Sequence, residues 1–406
     1  MKEKKKQTKW VRFRHKVVTA IAYVVLVPYI LLKYRIRVDR FREDKKRNYL
    51  ILLNHQTPFD QFFVGMAFNQ PIYYLATEDI FSLGWISSVI RWLIAPIPIK
   101  KQTTDIQAVM NCLRVVREGG SVAIAPEGNR TYSGRTVYMN PAIGGLARKM
   151  KLPILLFRIE GGYGAEPRWS DSVRKGKMHA YVSRVIEPEE YASMTNDELV
   201  QVIREGLYVD EAVADARFTG KHRAEYLERA IYVCPKCGLA EFHSNGNDFQ
   251  CMKCGLSVHY EADKRLTCQG EPFMFPFVAQ WYDYQEDFIN VLDPAGYTDA
   301  PMFEDIVRFS EVIVYQHKIL IRKDAKLSLY GDRIVVDQGS EMEMVYPFDE
   351  TNAVTVLGRN KLNVYFGKQV FQFKGGKRFN ALKYVQIYNR YKNISKGEPD
   401  SRFLGM

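Results

Sequence analysis

The sequence predicts an α/β domain behind an apolar N-terminal helix, followed by a mostly β C-terminal region. Three observations predict it. Short aliphatic runs at 49–53, 121–125 and 152–159 lead into polar turns, as parallel strands buried on both faces should. An uncharged apolar stretch, Val17 to Leu32, precedes them between Lys16 and Lys33. Beyond residue 326, paired β-type runs flank Gly-containing turns.

The N-terminal region, 1–40, joins a basic cluster (Lys2, Lys4, Lys5, Lys6, Lys9, Arg12, Arg14, Lys16) directly to the apolar stretch. Over the whole chain of 406 residues the formal charge is +12, which points to an acidic partner. Because the basic cluster abuts the apolar run, membrane phospholipids are the expected partner and nucleic acid is not. Sixteen helical residues span only ~24 Å against a hydrocarbon core of ~30 Å, and Pro28 should bend them. Basic residues follow as well as precede (Arg35, Arg37, Arg40, Arg42), and Lys33 to Arg37 contains no small-residue cleavage site. The expectation is a helix or short hairpin embedded in one leaflet, on the cytoplasmic face of the cell membrane. A single span recruiting Tyr34 and Ile36 is the alternative.

In the α/β region, 41–230, the first aliphatic run ends in Asn54-His55-Gln56-Thr57-Pro58-Phe59-Asp60, and the second in Pro126-Glu127-Gly128-Asn129-Arg130-Thr131. The stretch Asp105 to Arg117 between them has the spacing of an amphipathic helix, with Cys112 as a packing residue. Sites of open α/β sheets lie where strands end in turns. His55 and Asp60, five positions apart, suit a general base and the carboxylate that orients it. Neither segment holds a nucleophilic Ser or Cys, so the pattern fits direct attack by a substrate hydroxyl on an activated acyl group. Arg130 supplies a planar guanidinium suited to phosphate.

These two segments resemble the motifs N-H-x-S-x-x-D and F-P-E-G-T-R-S of the PlsC family of glycerolipid acyltransferases. Between them, Ala95-Pro96-Ile97-Pro98-Ile99-Lys100-Lys101 resembles the family's second motif, and Leu152-Pro153-Ile154-Leu155-Leu156 its fourth. The resemblance runs from about residue 40 to 210. It implies His55 and Asp60 as the catalytic pair and Arg130 and Lys101 as the holders of an acceptor phosphate. Glu127 and Gly128 would shape the turn, and Asn54 and Thr57 would complete the substrate-binding set. It implies acyl transfer from acyl-CoA or acyl carrier protein to a lysophospholipid, most simply 1-acylglycerol 3-phosphate. The chain departs from the family at Thr57 for Ser, Ala125 for Phe, Asn129 for Thr, Thr131 for Ser and Leu156 for Pro. Lys101 for Arg keeps a charge but loses the two-pronged geometry, which raises a different acceptor, such as a lyso-ornithine lipid. A non-catalytic membrane-tethered adaptor is the third reading.

At 231–262, Cys234-Pro-Lys-Cys237 and Cys251-Met-Lys-Cys254 are each followed by Gly and are separated by thirteen residues. Such paired knuckles suit a structural Zn²⁺ with four thiolates and resemble a zinc ribbon. His243 and His259 read as surface residues and Cys268 as unligated. From 263 to 395 hairpins are expected at 327–336 and 362–373, closed by a helix at 379–391, a pattern that looks like a PH- or GRAM-type β domain. Arg359, Lys361, Lys368, Lys374, Lys377 and Arg378 cluster near its turns, as lipid-headgroup ligands or as a solvated edge. The segment 271–315 gives no clear pattern, and 396–406 reads as a tail.

Overall fold

In the computed structural model, which describes residues 9–44, 47–99, 105–136, 138–213 and 215–405, the three aliphatic runs become neighbouring strands. The chain divides into two units: residues 1–131, 136–162 and 177–210, and residues 132–135, 163–176 and 211–406. Part of the expected 41–230 domain, from 132–135, 163–176 and 211 onward, thus belongs to the second unit.

The first unit runs α1 (Phe13–Lys33), β1 (Ile36–Val38), β2 (Leu50–Leu53), α2 (Asp60–Ala67), β3 (Ile72–Thr77), α3 (Trp85–Ile94), β4 (Ile97–Ile99), α4 (Ile106–Arg117), β5 (Ser121–Ile124), α5 (Ala142–Met150), β6 (Ile154–Glu160), the single turn α6 (Gly162–Ala165), β7 (Met178–Ile186), α7 (Pro188–Ala192) and α8 (Asn196–Leu207). Its sheet has the order β1-β7-β6-β2-β5-β3-β4. Strands β6, β2, β5, β3 and β4 are parallel, while β7 runs antiparallel to β6. Every residue of β2 and β5 is buried, because helices cover both faces. One face packs Leu50, Leu52, Val122 and Leu156 against Val115 of α4, Ile143 of α5 and Ile203 of α8. On the other, Phe157 meets Phe68 just beyond α2. Asp105 caps α4 by accepting the Ala108 N–H, and Thr195 and Glu198 form a reciprocal box at the start of α8. Cys112 is buried in α4, as packing requires.

Helix α1 has 21 residues and continues through Pro28, so it is neither a hairpin nor broken. It begins before the apolar run, at Phe13, and at ~1.5 Å per residue it is long enough to cross the hydrocarbon core by length and composition. Both its ends are fastened to this unit. His15 Nδ1 lies 2.9 Å from the Tyr73 hydroxyl, and Tyr34, just past the last turn, packs on Phe63 with ring centroids 5.5 Å apart.

The second unit comprises β8 (Val233–Cys234), β9 (Gly238–Leu239), β10 (Phe242–Asn245), β11 (Asp248–Cys251), β12 (Ser257–Tyr260), β13 (Arg265–Cys268), β14 (Glu271–Phe277), α9 (Val278–Val291), β15 (Phe303–Ile313), β16 (His317–Leu329), β17 (Arg333–Val336), β18 (Met344–Pro347), β19 (Thr351–Leu357), β20 (Lys361–Phe366), β21 (Gln369–Gly375) and α10 (Leu382–Ser395). The ribbon's strands continue past residue 262 into a five-stranded sheet, β10 to β14 in sequence order. Seven antiparallel strands follow in the order β18-β17-β16-β15-β21-β20-β19, with both expected hairpins present. The 396–406 segment is held down rather than loose: Asn393 Nδ2 donates to the carbonyls of Ser401 (3.1 Å) and Phe403 (3.0 Å), and Leu404 is buried.

Candidate active site

Strand β2 delivers Asn54 and His55 at its C-terminal end, and Asp60 opens α2 immediately after the turn. His55 Nδ1 lies 2.8 Å from Asp60 Oδ2. The same carboxylate accepts the backbone N–H of Gln56 at 2.7 Å and of Thr57 at 2.9 Å, and the Thr57 hydroxyl at 2.8 Å. The Thr57 hydroxyl oxygen in turn accepts the Phe59 N–H at 3.1 Å. Asp60 is therefore fixed from several directions at the N-terminus of a helix, where negative charge is favoured. Its side chain is 1% exposed and that of His55 29%. A carboxylate only accepts, so the hydrogen resides on Nδ1 and the Nε2 lone pair faces outward for proton transfer.

The second turn follows β5 and lies against the first. Glu127 Oε1 accepts the His55 backbone N–H at 2.8 Å, and the Thr131 N–H reaches the His55 carbonyl at 3.4 Å. Burial pushes the Glu127 carboxyl up to about 8, against the pull of the His55 N–H and with help from the Asp60 charge. Gly128 has φ 69°, a conformation that a side chain would strain, and its N–H closes the turn on the Ala125 carbonyl at 3.0 Å. Arg130 lies in this turn and is 9% exposed.

Two expected substrate ligands have other partners. Asn54 is fully buried, donating to the Ile159 carbonyl at 2.8 Å and accepting the Ile159 N–H at 2.7 Å, so it ties β2's end to β6. Thr57 is fully buried on Asp60. As substrate ligands both are corrected: their polar groups face protein. Lys101 lies outside the described residues. Sequence reasoning missed Gly162, where a Cβ would come within 2.5 Å of the Gln56 Cβ. Only a residue without a side chain lets the end of β6 approach the His55 turn so closely, and the pair Gly161-Gly162 was its visible signal.

In the second unit the ligand atoms of Cys234, Cys237, Cys251 and Cys254 all lie within 4.8 Å of one another. The Cys234–Cys254 and Cys237–Cys251 sulfur pairs are 3.6 Å apart, and none forms a disulfide. Tetrahedral zinc with Zn–S bonds of about 2.3 Å separates sulfurs by about 3.8 Å, so the group fits the ion. Burial raises the Cys237 thiol, whereas the Leu256 N–H holds Cys254 down near about 7. Two of the six basic residues expected near the β-domain turns are engaged with carboxylates. Arg359 pairs with Glu166 and with Asp171 at 3.3 Å, and Arg378 pairs with Glu228 and with Glu225 at 3.3 Å. The guanidinium groups of these two are thus already neutralised by neighbouring carboxylates.

Comparison with known proteins bears on the first unit: residues 35–159 match the acyltransferase family model. A curated relative, the 1-acyl-sn-glycerol-3-phosphate acyltransferase of Bacillus subtilis (strain 168), is 22% identical over 136 residues. That match covers 34% of this chain and 65% of the relative, a little under two thirds of its length. Among solved structures, the 1-acyl-sn-glycerophosphate (LPA) acyltransferase PlsC from Thermotoga maritima aligns at 19% identity and a TM-score of 0.38, over 48% of this chain and 75% of that one.

Proposed function

We propose that this chain moves a fatty acyl group from an acyl thioester, carried by CoA or acyl carrier protein, to the free hydroxyl of 1-acylglycerol 3-phosphate, giving phosphatidic acid. The observation that carries the reading is the His55–Asp60 pair at 2.8 Å, held so that Nε2 alone is left for the substrate. His55 Nε2 takes the acceptor's hydroxyl proton as that oxygen attacks the thioester carbonyl. The tetrahedral intermediate collapses with cleavage of the C–S bond, and the imidazolium returns the proton to the departing thiolate. Asp60 remains a carboxylate throughout and stabilises the imidazolium. Arg130 binds the acceptor phosphate, with Lys101 as its assistant, while Glu127 and Gly128 hold the second turn against the first, Asn54 ties the first turn to β6, and Thr57 fixes Asp60.

The reaction takes place at the cytoplasmic face of the cell membrane. Helix α1 supports in-plane seating in one leaflet rather than a span, because its two ends are bonded to the same unit by His15 and Tyr34. Its outward residues Ile21, Val24 and Leu32 are exposed and apolar. The four cysteines hold a structural Zn²⁺. When bound, the ion cross-links the two knuckles; its four-thiolate shell is closed, so it takes no part in acyl transfer. The strand order of the C-terminal sheet and its closing helix support a PH- or GRAM-type domain.

The test is turnover of purified full-length protein on a panel of lysophospholipids with acyl-CoA and with acyl-loaded carrier protein. Phosphatidic acid formation by the parent chain and its loss in His55→Ala are expected; equal turnover by the variant overturns the assignment.

A further inference from the structure

Helix α3 is amphipathic the wrong way round for a soluble domain. The one residue it buries against the protein is polar: the Ser87 hydroxyl donates to the Ile80 carbonyl and accepts the Leu83 N–H, both at 2.8 Å. Its apolar arc, centred on Trp85, Val89 and Trp92 at helical spacing, faces out. Trp85 is 76% exposed and Trp92 55%. Contiguous outward apolar surface of this kind marks an interaction site.

Charge and chemistry select the occupant. Arg14 of α1 donates through Nε to the Trp92 carbonyl at 3.0 Å and sets its guanidinium 5.0 Å from the Trp92 ring centre. Trp10 donates its indole N–H to the Ala95 carbonyl at 2.8 Å, so the entry to α1 and the end of α3 are bonded within one unit. Arg91 is exposed on α3's polar flank. Tryptophan bodies bordered by arginines match the boundary between anionic headgroups and acyl chains, where amphipathic rings and cations are both favoured. Helix α1, which packs beside α3, likewise exposes Val17 and Ile21.

We propose that α3 is a second membrane-docking helix, seating Trp85, Val89 and Trp92 at the headgroup–acyl boundary of an anionic bilayer beside α1. The proposal rests on the membrane-surface reading above for the kind of surface involved. It adds that docking is shared by two helices distant in sequence, so the unit meets the bilayer in one fixed orientation.

The experiment uses the full chain with vesicles of phosphatidylcholine mixed with phosphatidylglycerol, prepared with and without brominated acyl chains, and with phosphatidylcholine alone. Tryptophan fluorescence should be quenched by the brominated mixed vesicles. In a Trp10→Phe background, replacing both residues by Phe should remove most of that quenching, because the two remaining tryptophans, Trp169 and Trp281, are buried. Trp85→Ser with Trp92→Ser should weaken partitioning about tenfold or more. It should leave turnover of a short-chain, water-soluble lysolipid unchanged. Quenching that survives the Phe pair, partitioning untouched by the Ser pair, or a dimer in the parent chain that the Ser pair dissolves would each overturn the docking role. His55→Ala separates the two readings. It should bind and quench like the parent, and if it also keeps full turnover the acyltransferase reading fails while the docking result stands.

Discussion

The turn around His55 and the knuckles around Cys234 and Cys251 are built from similar local devices, with opposite results. Both rely on glycine in the left-handed region to reverse the chain tightly: Gly128 at φ 69° in the turn packed against His55, and Gly238 at 74° and Gly255 at 75° in the knuckles. In the His55 turn the converging groups saturate Asp60 and leave one imidazole nitrogen facing out. In the knuckles four sulfurs converge on one another. A site meant for chemistry must leave one group unsatisfied at a fixed position; a site meant for folding should leave none. Side-chain identity alone does not separate the two outcomes, whereas the direction in which hydrogen-bond donors point does.

That contrast is broken most severely by removing metal. Chelation with a strong zinc ligand, or Cys237→Ser, should release one zinc per chain and unfold the ribbon. Structural zinc contributes on the order of 10 kcal/mol to such modules. Metal analysis beside thermal unfolding checks this, and a metal-free chain with unchanged unfolding would show that the sulfurs need no ion. The next largest effect belongs to His55→Ala. Loss of a general base should lower turnover about 10³-fold, or about 4 kcal/mol in barrier, with zinc content and melting temperature unaltered. Asp60→Asn should cost about 10²-fold in kcat with little change in KM, since the amide can donate to Nδ1 and misplace the tautomer. Steady-state kinetics distinguishes that pattern from a binding defect, which would raise KM instead.

Much of this was legible in the sequence, for reasons that differ between the units. The three central strands carry uninterrupted aliphatic runs because both faces are covered, and the dyad is local, its members five residues apart across one turn. The cysteines announce themselves by spacing. What stayed hidden depends on distant partners. The antiparallel direction of β7 leaves no mark on its own residues. The segment 271–315 reads as featureless because aromatics occupy both sides of α9, where Trp281, Tyr282, Gln285 and Ile289 are all buried. Asn54 and Thr57 looked like substrate ligands because polar residues in a motif invite that role; only the Ile159 backbone and the Asp60 carboxylate reveal them as supports. Glu127 is the same case, since nothing near it in sequence shows that it reaches the His55 N–H.

Glu127 also offers the finest way to sharpen the comparison, because it joins the two turns through a single titratable group. Burial raises its carboxyl from 4.5 to about 8 in the folded chain. Below pH 4.5 the group is protonated in both folded and unfolded states, so its contribution to stability is complete there. As the pH rises from 4.5 towards about 8, the unfolded chain releases this proton and the folded chain retains it, so stability falls across that window and levels off above it. Glu127→Gln keeps an oxygen to accept the His55 N–H but removes the titration. Thermal unfolding of this variant should therefore lose a pH-dependent decline on the order of 2 kcal/mol between pH 5 and 8, relative to the parent chain. Turnover near pH 7 should change by less than about tenfold, because Gln preserves the contact that fixes the His55 backbone. An identical pH slope in parent and variant would mean that this carboxyl is not held neutral. The His55 turn would then carry a second buried charge beside Asp60, and its single outward nitrogen would no longer suffice to describe the site.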